Sequence, residues 1–299
     1  MPPELAARTQ AMAPVLTAIR GKLGLDQCQY AYTSTAPTPL DVLLFFASIG
    51  LPIVEVWGMS ELTGPATSNR VERVKLGTVG VTLLGVEARL AEDGELLIRG
   101  GNVTPGYYRE PERTAELLDA DGWLHTGDVA TVDDEGFYRI VDRKKELIIT
   151  SSGKNISPSN IEALLKNHPL VGQAMAVGDQ HSYVCALIVL DAEVAPMWAS
   201  ARGIQSGSIA ELAANPTVVD EVRRGVEAAN SHLSRIEQVK RFTILPTEWT
   251  SDSEELTPTL KLKRRVVYGR YGREIEGMYA DPPTGYEVAE RAPSADGMG

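Results

Sequence analysis

Asp142, Arg143, Lys144 and Lys145 stand in a row within the segment "IVDRKKELIIT" at positions 140 to 150, and Glu146 follows them. The stretches on both sides have the composition of β-strands, so the charges stand between two strands. A run of charges is most often a solvated linker. Because the chain has 299 residues and 43% hydrophobic content, it is long enough to form a domain on each side of such a linker.

The part before the charged run changes character near residue 77. "QYAYTS", "PLDVLLFFASIG" and "LPIVEVW" read as strand, helix and strand, after helical periodicity over residues 3–22, and this alternation indicates part of a parallel α/β sheet. Residues 77–141 contain short strands with tight turns at 92–94 ("EDG") and 133–136 ("DDEG"), a pattern typical of β-hairpins. We therefore predict a β-rich subdomain at the end of residues 1–141.

The part after the charged run alternates strands and helices and predicts a small α+β domain over residues 146–280. Pro158 suits the first turn of its first helix, and Ser159 with Glu162 suggests a capping box. Residues 281–299 are rich in proline, glycine and charge, so we predict a disordered tail.

Composition disfavours several classes of protein. The net charge of −11 opposes nucleic-acid binding, although "KLKRR" at 261–265 is locally basic. Cys28 and Cys185 are far apart and form no CxxC pattern, so neither a disulfide framework nor a zinc site is indicated. No apolar run approaches the roughly 18 residues of a membrane span, and no secretory signal is evident. We expect a cytoplasmic protein, with peripheral membrane association left open.

The segment "VEVWGMSELTG" places polar residues at the end of an apolar strand, where open α/β sheets bind ligands. A nucleophile elbow is disfavoured because Leu62 stands where a small residue is needed. Alternatively, Ser60 binds a phosphate and Glu61 binds Mg²⁺, with Trp57 as an aromatic face for a base. On spacing alone, a plain turn is favoured over both of these interpretations.

Two further segments leave alternatives open. Asp128 ends the "TGD" turn, so its carboxylate either binds a ribose diol or caps the turn. The Gly153-Lys154 pair invites a phosphate-loop interpretation, but Ile148 stands where that loop needs glycine. Gly21-Lys22 fails in the same way.

Taken together, the chain resembles the AMP-forming acyl-CoA synthetases of the adenylate-forming superfamily, specifically long-chain fatty acid–CoA ligases. The resemblance rests on five ordered motifs, namely "VWGMSELTG", "GELLIRG", "GYYREPERTAELLDADGWLHTGD", "DRKKELIITSSGKNISPSNIE" and "LTPTLKLKR". It implies the end of a large sheet domain, the β-rich subdomain, a hinge at 142–145 and a C-terminal lid domain.

The resemblance also implies roles for individual residues in a reaction that consumes ATP, Mg²⁺ and coenzyme A. A fatty carboxylate attacks the α-phosphate of ATP, and the thiol of coenzyme A then attacks the acyl-AMP. The implied AMP-site residues are Trp57 beside the adenine, Gly58 in the same motif, Ser60 near the phosphates, Glu61 at Mg²⁺, and Asp128 and Arg143 at the ribose. Lys261 is the implied catalytic lysine.

The family's lid rotates between two half-reactions, and Lys145 matches the position at which the chain pivots. A charged, solvated segment suits such a hinge. In one pose Lys261 enters the site; in the other, Ser152, Gly153 and Lys154 line the pantetheine channel. Lys263, Arg264 and Arg265 are expected to form a solvated helix start.

The family's phosphate loop has no counterpart in the sequence, and "TSTAP" at 33–37 matches the acyl-pocket segment only in part. We therefore expect the C-terminal half of a ligase, supplied as a fragment or an incomplete gene product, with a separate N-terminal half as a candidate partner. Two alternatives remain open, an acyl-AMP ligase without transfer to coenzyme A and a non-catalytic interaction module.

Overall fold

The computed structural model describes residues 13–35, 38–205, 207–258, 260–280 and 287–288. These residues divide into two compact units, and the division falls after Lys145. That is the last residue of the predicted hinge. No described helix is both long and apolar enough to cross a membrane.

The described residues of the first unit form three α-helices and eight strands. The helices are α1 (Ala13–Lys22), α2 (Leu40–Ser48) and α3 (Pro111–Leu117). The strands are β1 (Ala31–Thr33), β2 (Ile53–Met59), β3 (Gly64–Ser68), β4 (Val81–Thr82), β5 (Val86–Leu90), β6 (Glu95–Gly100), β7 (Leu124–Val132) and β8 (Tyr138–Arg143). The start of the helix predicted at 3–22 lies outside the described residues.

Two four-stranded sheets organise the first unit, one in the order β1-β2-β3-β4 and the other in the order β5-β6-β7-β8. Strands β1 and β2 are parallel, as predicted, whereas β2, β3 and β4 are antiparallel. The predicted hairpin turns at 92–94 and 133–136 are confirmed, since they join β5 to β6 and β7 to β8. Trp57, Leu96 and Leu124 belong to one buried cluster that both sheets share.

The second unit is an α+β domain, as predicted. Its helices are α4 (Pro158–Lys166), α5 (Val194–Ser200), α6 (Ile209–Ala213), α7 (Pro216–Asn230), α8 (Arg264–Arg270) and α9 (Gly272–Gly277). Its strands are β9 (Ile148–Ile149), β10 (Asn155–Ile156), β11 (Val171–Val177), β12 (Val184–Leu190), β13 (Val239–Leu245) and β14 (Glu287–Val288). The order β11-β12-β13-β14 defines its main sheet. Apart from Glu287 and Val288, the tail predicted at 281–299 lies outside the described residues.

The core of the second unit lies on both faces of this sheet. All seven residues of β12 are buried, as expected of a strand covered on two sides. Helices α4 and α7 contribute Ile161, Leu165 and Val222 to the cluster on one face, and α8 and α9 contribute Val267 and Ile275 to the other.

Helix α4 corrects the predicted capping box. The N-cap is Ser157, whose hydroxyl accepts a hydrogen bond from the backbone N of Asn160 at 3.2 Å. Pro158 occupies the first turn, as predicted. Glu162 is the fifth residue of the helix, not the third that a capping box needs, and its carboxylate accepts from the backbone N of Ala176 on β11. The Ser159–Glu162 capping box was therefore wrong.

Candidate functional site

Three of the predicted site residues meet at the carboxylate of Asp128. The indole Nε1 of Trp57 donates to Oδ2 of Asp128 at 2.7 Å. The Nε of Arg143 lies 2.7 Å from Oδ1. Asp128 and Trp57 are buried, whereas the side chain of Arg143 is 54% exposed. The structure therefore joins residues that are 71 and 15 positions apart in the sequence into one cluster.

Strand register explains why these residues meet. Asp128 and Arg143 are direct cross-strand partners in the antiparallel pair β7-β8, so their side chains share one face. Trp57 lies on β2, next to Gly58, where the register with β3 shifts. A Cβ on Gly58 would stand 2.0 Å from the carbonyl oxygen of Gly64, so only glycine allows the two strands to approach this closely.

The cluster surrounds the carboxyl group of Asp128, which is buried away from water. Burial raises the pKa of Asp128 above its usual range, although Arg143 and Trp57 both act in the opposite direction. A carboxylate has about four lone-pair positions, and two are used here. Because Trp57 is buried and Arg143 is half exposed, Arg143 is the partner that a ligand would displace more easily.

Ser60 and Glu61 lie on a short 3₁₀ turn, Ser60–Leu62, directly after β2. The turn ends at Thr63, whose φ of 57° lies in the left-handed region. Thr63 Oγ1 donates to the carbonyl of Asn102 at 2.6 Å, and the backbone N of Thr104 donates to the carbonyl of Glu61 at 2.8 Å. The segment around residue 103 therefore fixes this turn.

Tyr107 is a site residue that sequence reasoning missed. Its hydroxyl donates to Oε1 of Glu61 at 2.7 Å. This bond, followed by burial and the charge of Glu61, raises the pKa of the phenol. The guanidinium of Arg113 lies 4.7 Å from the centroid of the Tyr107 ring. One oxygen of Glu61 is thus oriented by a phenol that is itself packed under an arginine.

The described residues contain no group of three or more His, Cys, Asp or Glu side chains that would hold a metal ion by itself. Glu61 therefore offers a single carboxylate. A single carboxylate fits Mg²⁺ when the phosphates of a nucleotide supply further oxygen ligands.

The charged run that begins at Asp142 is anchored in the first unit. Asp142 and Arg143 end strand β8. The Nζ of Lys144 lies 2.5 Å from Asp93 Oδ2 and 2.9 Å from Glu95 Oε2. The backbone N of Lys144 donates to the carbonyl of Gly127 at 2.8 Å. Within the predicted hinge of 142–145, Lys144 is therefore bonded to the first unit, and Lys145 is exposed.

In the second unit, Ser152, Gly153 and Lys154 form an exposed turn between β9 and β10. Gly153 has a φ of 75°, a conformation that favours glycine. The backbone N of Lys154 donates to Thr150 Oγ1 at 3.1 Å, which closes the turn. The backbone N of Ser151 donates to the carbonyl of His181 at 2.9 Å and ties the turn to the β11-β12 connection.

Lys261 lies on an exposed hairpin that precedes α8. The backbone N of Lys261 donates to Thr257 Oγ1 at 3.0 Å, and the carbonyl of Lys261 accepts from the backbone N of Thr257. Lys263 N donates to the carbonyl of Glu255 at 2.7 Å. The side chains of Lys261 and Lys263 are both exposed.

The expectation of a solvated helix start was wrong for Arg264. Its side chain is only 14% exposed and bonds to Glu162 and Glu146. Lys263 and Arg265 are exposed, as expected.

Comparison with known proteins identifies the class to which this fold and site belong. The family described as AMP-binding enzyme matches residues 5–108, and the AMP-binding enzyme C-terminal domain matches residues 145–282. The chain therefore belongs to the AMP-binding enzymes. The second match begins at Lys145, where the two units divide.

Two curated relatives are fatty-acid–CoA ligases by name. The chain is 49% identical over 278 residues to the putative fatty-acid–CoA ligase fadD11 of Mycobacterium tuberculosis, a match that covers 92% of this chain and 48% of the relative. It is 40% identical over 262 residues to the long-chain-fatty-acid–CoA ligase FadD15 of Mycobacterium bovis, covering 87% of this chain and 43% of the relative. The chain thus spans about half the length of the curated relatives it matches.

A solved structure with the same fold is the A-PCP didomain of the carboxylic acid reductase from Segniliparus rugosus in complex with AMP. The TM-score is 0.67 and the identity is 26%, over 90% of this chain and 37% of that chain. The fold described above is therefore shared with part of that didomain.

Proposed function

We propose that this chain carries the ribose-binding end of the large domain and the C-terminal lid of an ATP-dependent fatty-acid–CoA ligase. The observation that carries the proposal is the convergence of Trp57 and Arg143 on the buried carboxylate of Asp128. These residues come from three separate motifs of the ligase family. Their meeting at one point is expected if the motifs form a common nucleotide site.

The proposed reaction is that of the ligase family. The carboxylate of a fatty acid attacks the α-phosphorus of ATP, the bond from that phosphorus to the α,β-bridging oxygen breaks, and pyrophosphate leaves as acyl-AMP forms. The thiol of coenzyme A then attacks the acyl carbonyl, releases AMP and gives the thioester. Both steps move charge onto phosphate oxygens, so positioning and charge neutralisation by the protein are the main contributions to the rate.

Each residue has a part in this scheme. The Asp128 carboxylate accepts from the ribose hydroxyls, Arg143 lies on the ribose side, and the indole of Trp57 lies beside the adenine. The hydroxyl of Ser60 binds phosphate. Gly58 allows strands β2 and β3 to approach each other closely just before the turn that carries Ser60. The Lys261 ammonium neutralises charge while acyl-AMP forms, and Ser152, Gly153 and Lys154 line the path of the thiol arm.

Glu61 is the residue that would hold Mg²⁺ together with the phosphates of ATP. The ion would neutralise charge on the leaving pyrophosphate. Tyr107 holds one oxygen of Glu61 at 2.7 Å, so the carboxylate is oriented before any ion binds. A hydroxyl-to-carboxylate bond of this kind restricts the rotamers of Glu61 without neutralising its charge.

The activity also requires the remainder of a large domain, as a separate polypeptide half or as a preceding part of one chain. An apolar face of the first unit supports this requirement. Helix α2 is almost wholly apolar, yet only Leu43 is buried. Several large side chains on β1, α2 and the residue before β1 are half exposed, namely Tyr30, Tyr32, Leu40, Leu44 and Phe45. Parallel strands such as β1 and β2 are normally covered on both faces.

A chimera tests the proposed function. It joins this chain to the part of the M. tuberculosis relative that the chain does not match. The chimera should catalyse ATP–pyrophosphate exchange that depends on a fatty acid, and it should form acyl-CoA when coenzyme A is added. This chain by itself, free of host ligase, should show no exchange.

The matched variant is Asp128→Asn in the chimera, which keeps the shape of the side chain and removes its charge. It should raise the KM for ATP and lower exchange by about tenfold or more. Robust exchange by the isolated chain, or a folded chimera with no acid-dependent exchange, would contradict the proposal.

A further inference from the structure

Arg264 is a largely buried cation, with a side chain 14% exposed, placed three residues after Lys261. Its Nη1 and Nη2 lie 2.7 and 2.8 Å from the two oxygens of Glu162, a bidentate pair. Its Nε donates to Oε2 of Glu146 at 3.0 Å. Burial acts to lower the pKa of Arg264, but the two carboxylates outweigh it and raise the pKa above its usual range. The guanidinium is therefore charged, oriented and shielded from water.

Glu162 fixes this guanidinium to the main sheet of the second unit. The glutamate is buried on α4. Its Oε1 accepts a second hydrogen bond, from the backbone N of Ala176 on β11, at 2.8 Å. Arg264 is thus held by a helix and, through Glu162, by a strand.

The contacts of Arg264 connect three segments that the proposed function uses. Glu146 is the first residue of the second unit, directly after Lys145. Helix α4 follows the 152–154 turn and is capped at Ser157. The hairpin that carries Lys261 ends where Lys263 N bonds to Glu255 O, one residue before Arg264. One side chain therefore stands where these segments meet.

We propose that Arg264 is a positioning residue that holds the Lys261 hairpin and the 152–154 turn at a fixed separation and ties both to the exit of the hinge. The proposal rests on the proposed function, in which a lid presents these two surfaces in turn. A rigid lid places each surface correctly only if their separation does not change on rotation. Bidentate Arg–carboxylate pairing supplies this geometric constraint, whereas lysine supplies charge without the fork.

The first test uses this chain as it is and compares Arg264→Lys with Arg265→Lys, an exposed neighbour. Backbone amide exchange is measured for residues 255–263, for residues 146–157 and for β12. Arg264→Lys should speed exchange in both named segments by about tenfold and leave β12 unchanged, because only local opening is affected. Arg265→Lys should change none of them. Unchanged exchange in the Arg264 variant, or an equal increase that includes β12, would overturn the proposal.

Glu146→Gln covers the case in which Arg264→Lys does not fold. Glu146 is 45% exposed, and its replacement leaves the Arg264–Glu162 pair intact. Exchange over residues 146–149 should rise while β12 stays protected. Unchanged exchange over 146–149 would overturn the link to the hinge exit.

The second test uses the chimera. Arg264→Lys should lower the kcat of both half-reactions by about tenfold and leave the KM for the fatty acid nearly unchanged, because a misplaced lid slows chemistry without removing a substrate contact. Native-like rates for both half-reactions would overturn the proposal. If the chimera with native Arg264 is inactive, the proposed function fails, whereas the exchange measurement still decides whether Arg264 fixes the two segments.

Discussion

The indole of Trp57 donates a hydrogen bond of 2.7 Å to the buried carboxylate of Asp128. The two residues lie on different sheets, since Trp57 belongs to β2 and Asp128 to β7. The bond joins the two sheets of the first unit at the point where we propose that the nucleotide binds. It also gives a buried anion one donor that solvent cannot replace.

Replacing Trp57 with phenylalanine should test this bond. The variant keeps an aromatic ring but leaves Oδ2 of Asp128 without its donor in a buried place, so the free energy of unfolding should fall by about 1–3 kcal/mol. Trp57 lowers the pKa of Asp128, and its loss should therefore raise that pKa. The penalty should be largest at neutral pH and shrink as the pH falls through the pKa of the folded state, as urea unfolding at several pH values would measure.

Trp123→Phe is the control for size. Trp123 is also buried in the first unit, but its ring contacts the guanidinium groups of Arg89 and Arg99. Its stability loss should be independent of pH below neutrality. An equal pH dependence in both variants would argue against a special role for the Trp57–Asp128 bond.

Lys144→Met should lower stability by about 1 kcal/mol, a modest figure because the lysine is 43% exposed. Its hydrogen bonds to Asp93 and Glu95 raise the pKa of Lys144. Burial tends to raise the pKa of Glu95, but bonds from Lys144, Gly127 and His125 lower it overall.

The directions of these pKa shifts define the pH range over which the contacts of Lys144 stabilise the fold. A carboxyl with a lowered pKa stabilises the fold above about pH 4.3 and loses this effect as the pH falls through its folded-state pKa. A lysine with a raised pKa contributes below about pH 10.4 and loses this effect at higher pH. The difference in melting temperature between native and variant chains should thus be flat from about pH 5 to pH 9 and vanish in acid. Lys145→Met, at the exposed neighbour, should show little difference at any pH.

Lys145→Pro tests the proposed pivot in the chimera. Proline fixes φ near −65° without removing a proposed ligand contact, so it should slow one half-reaction more than the other. Lys145→Ala keeps a free φ and should leave the ratio of the two rates close to native. Equal loss of both half-reactions by a folded proline variant would indicate a rigid connection.

Local patterns predicted most elements, since strand alternation and turn residues are local signals, whereas the grouping of Trp57 and Arg143 with Asp128 was implied by the resemblance to the ligase family. Arg264 shows that local patterns do not identify contacts between residues far apart in the sequence. In "KLKRR" four basic side chains share one local pattern, and the distant carboxylates of Glu162 and Glu146 distinguish Arg264 from its exposed neighbours. No spacing rule connects residues 102 positions apart.

The contact of Tyr107 could not be predicted from the local sequence, whereas the N-cap role of Ser157 could. Tyr107 contacts Glu61, whereas its neighbour Tyr108 is 82% exposed. The choice between them depends on a turn at Gly106, where a Cβ would meet the Thr114 side chain at 2.4 Å. Ser157 was predictable, because a proline in the first helical position makes the preceding residue the N-cap.

Lys261 gives the most direct test of the account, because it is assigned to one half-reaction only. In the chimera, Lys261→Ala should lower acid-dependent ATP–pyrophosphate exchange by about 10²-fold or more, the effect of losing one preorganised charge donor. Thioester formation from supplied acyl-AMP should stay near the native rate. Lys263→Ala, at an equally exposed lysine two residues on, should change neither rate. If Lys263→Ala shows the selective loss and Lys261→Ala does not, or if Lys261→Ala slows both half-reactions equally, the account is contradicted.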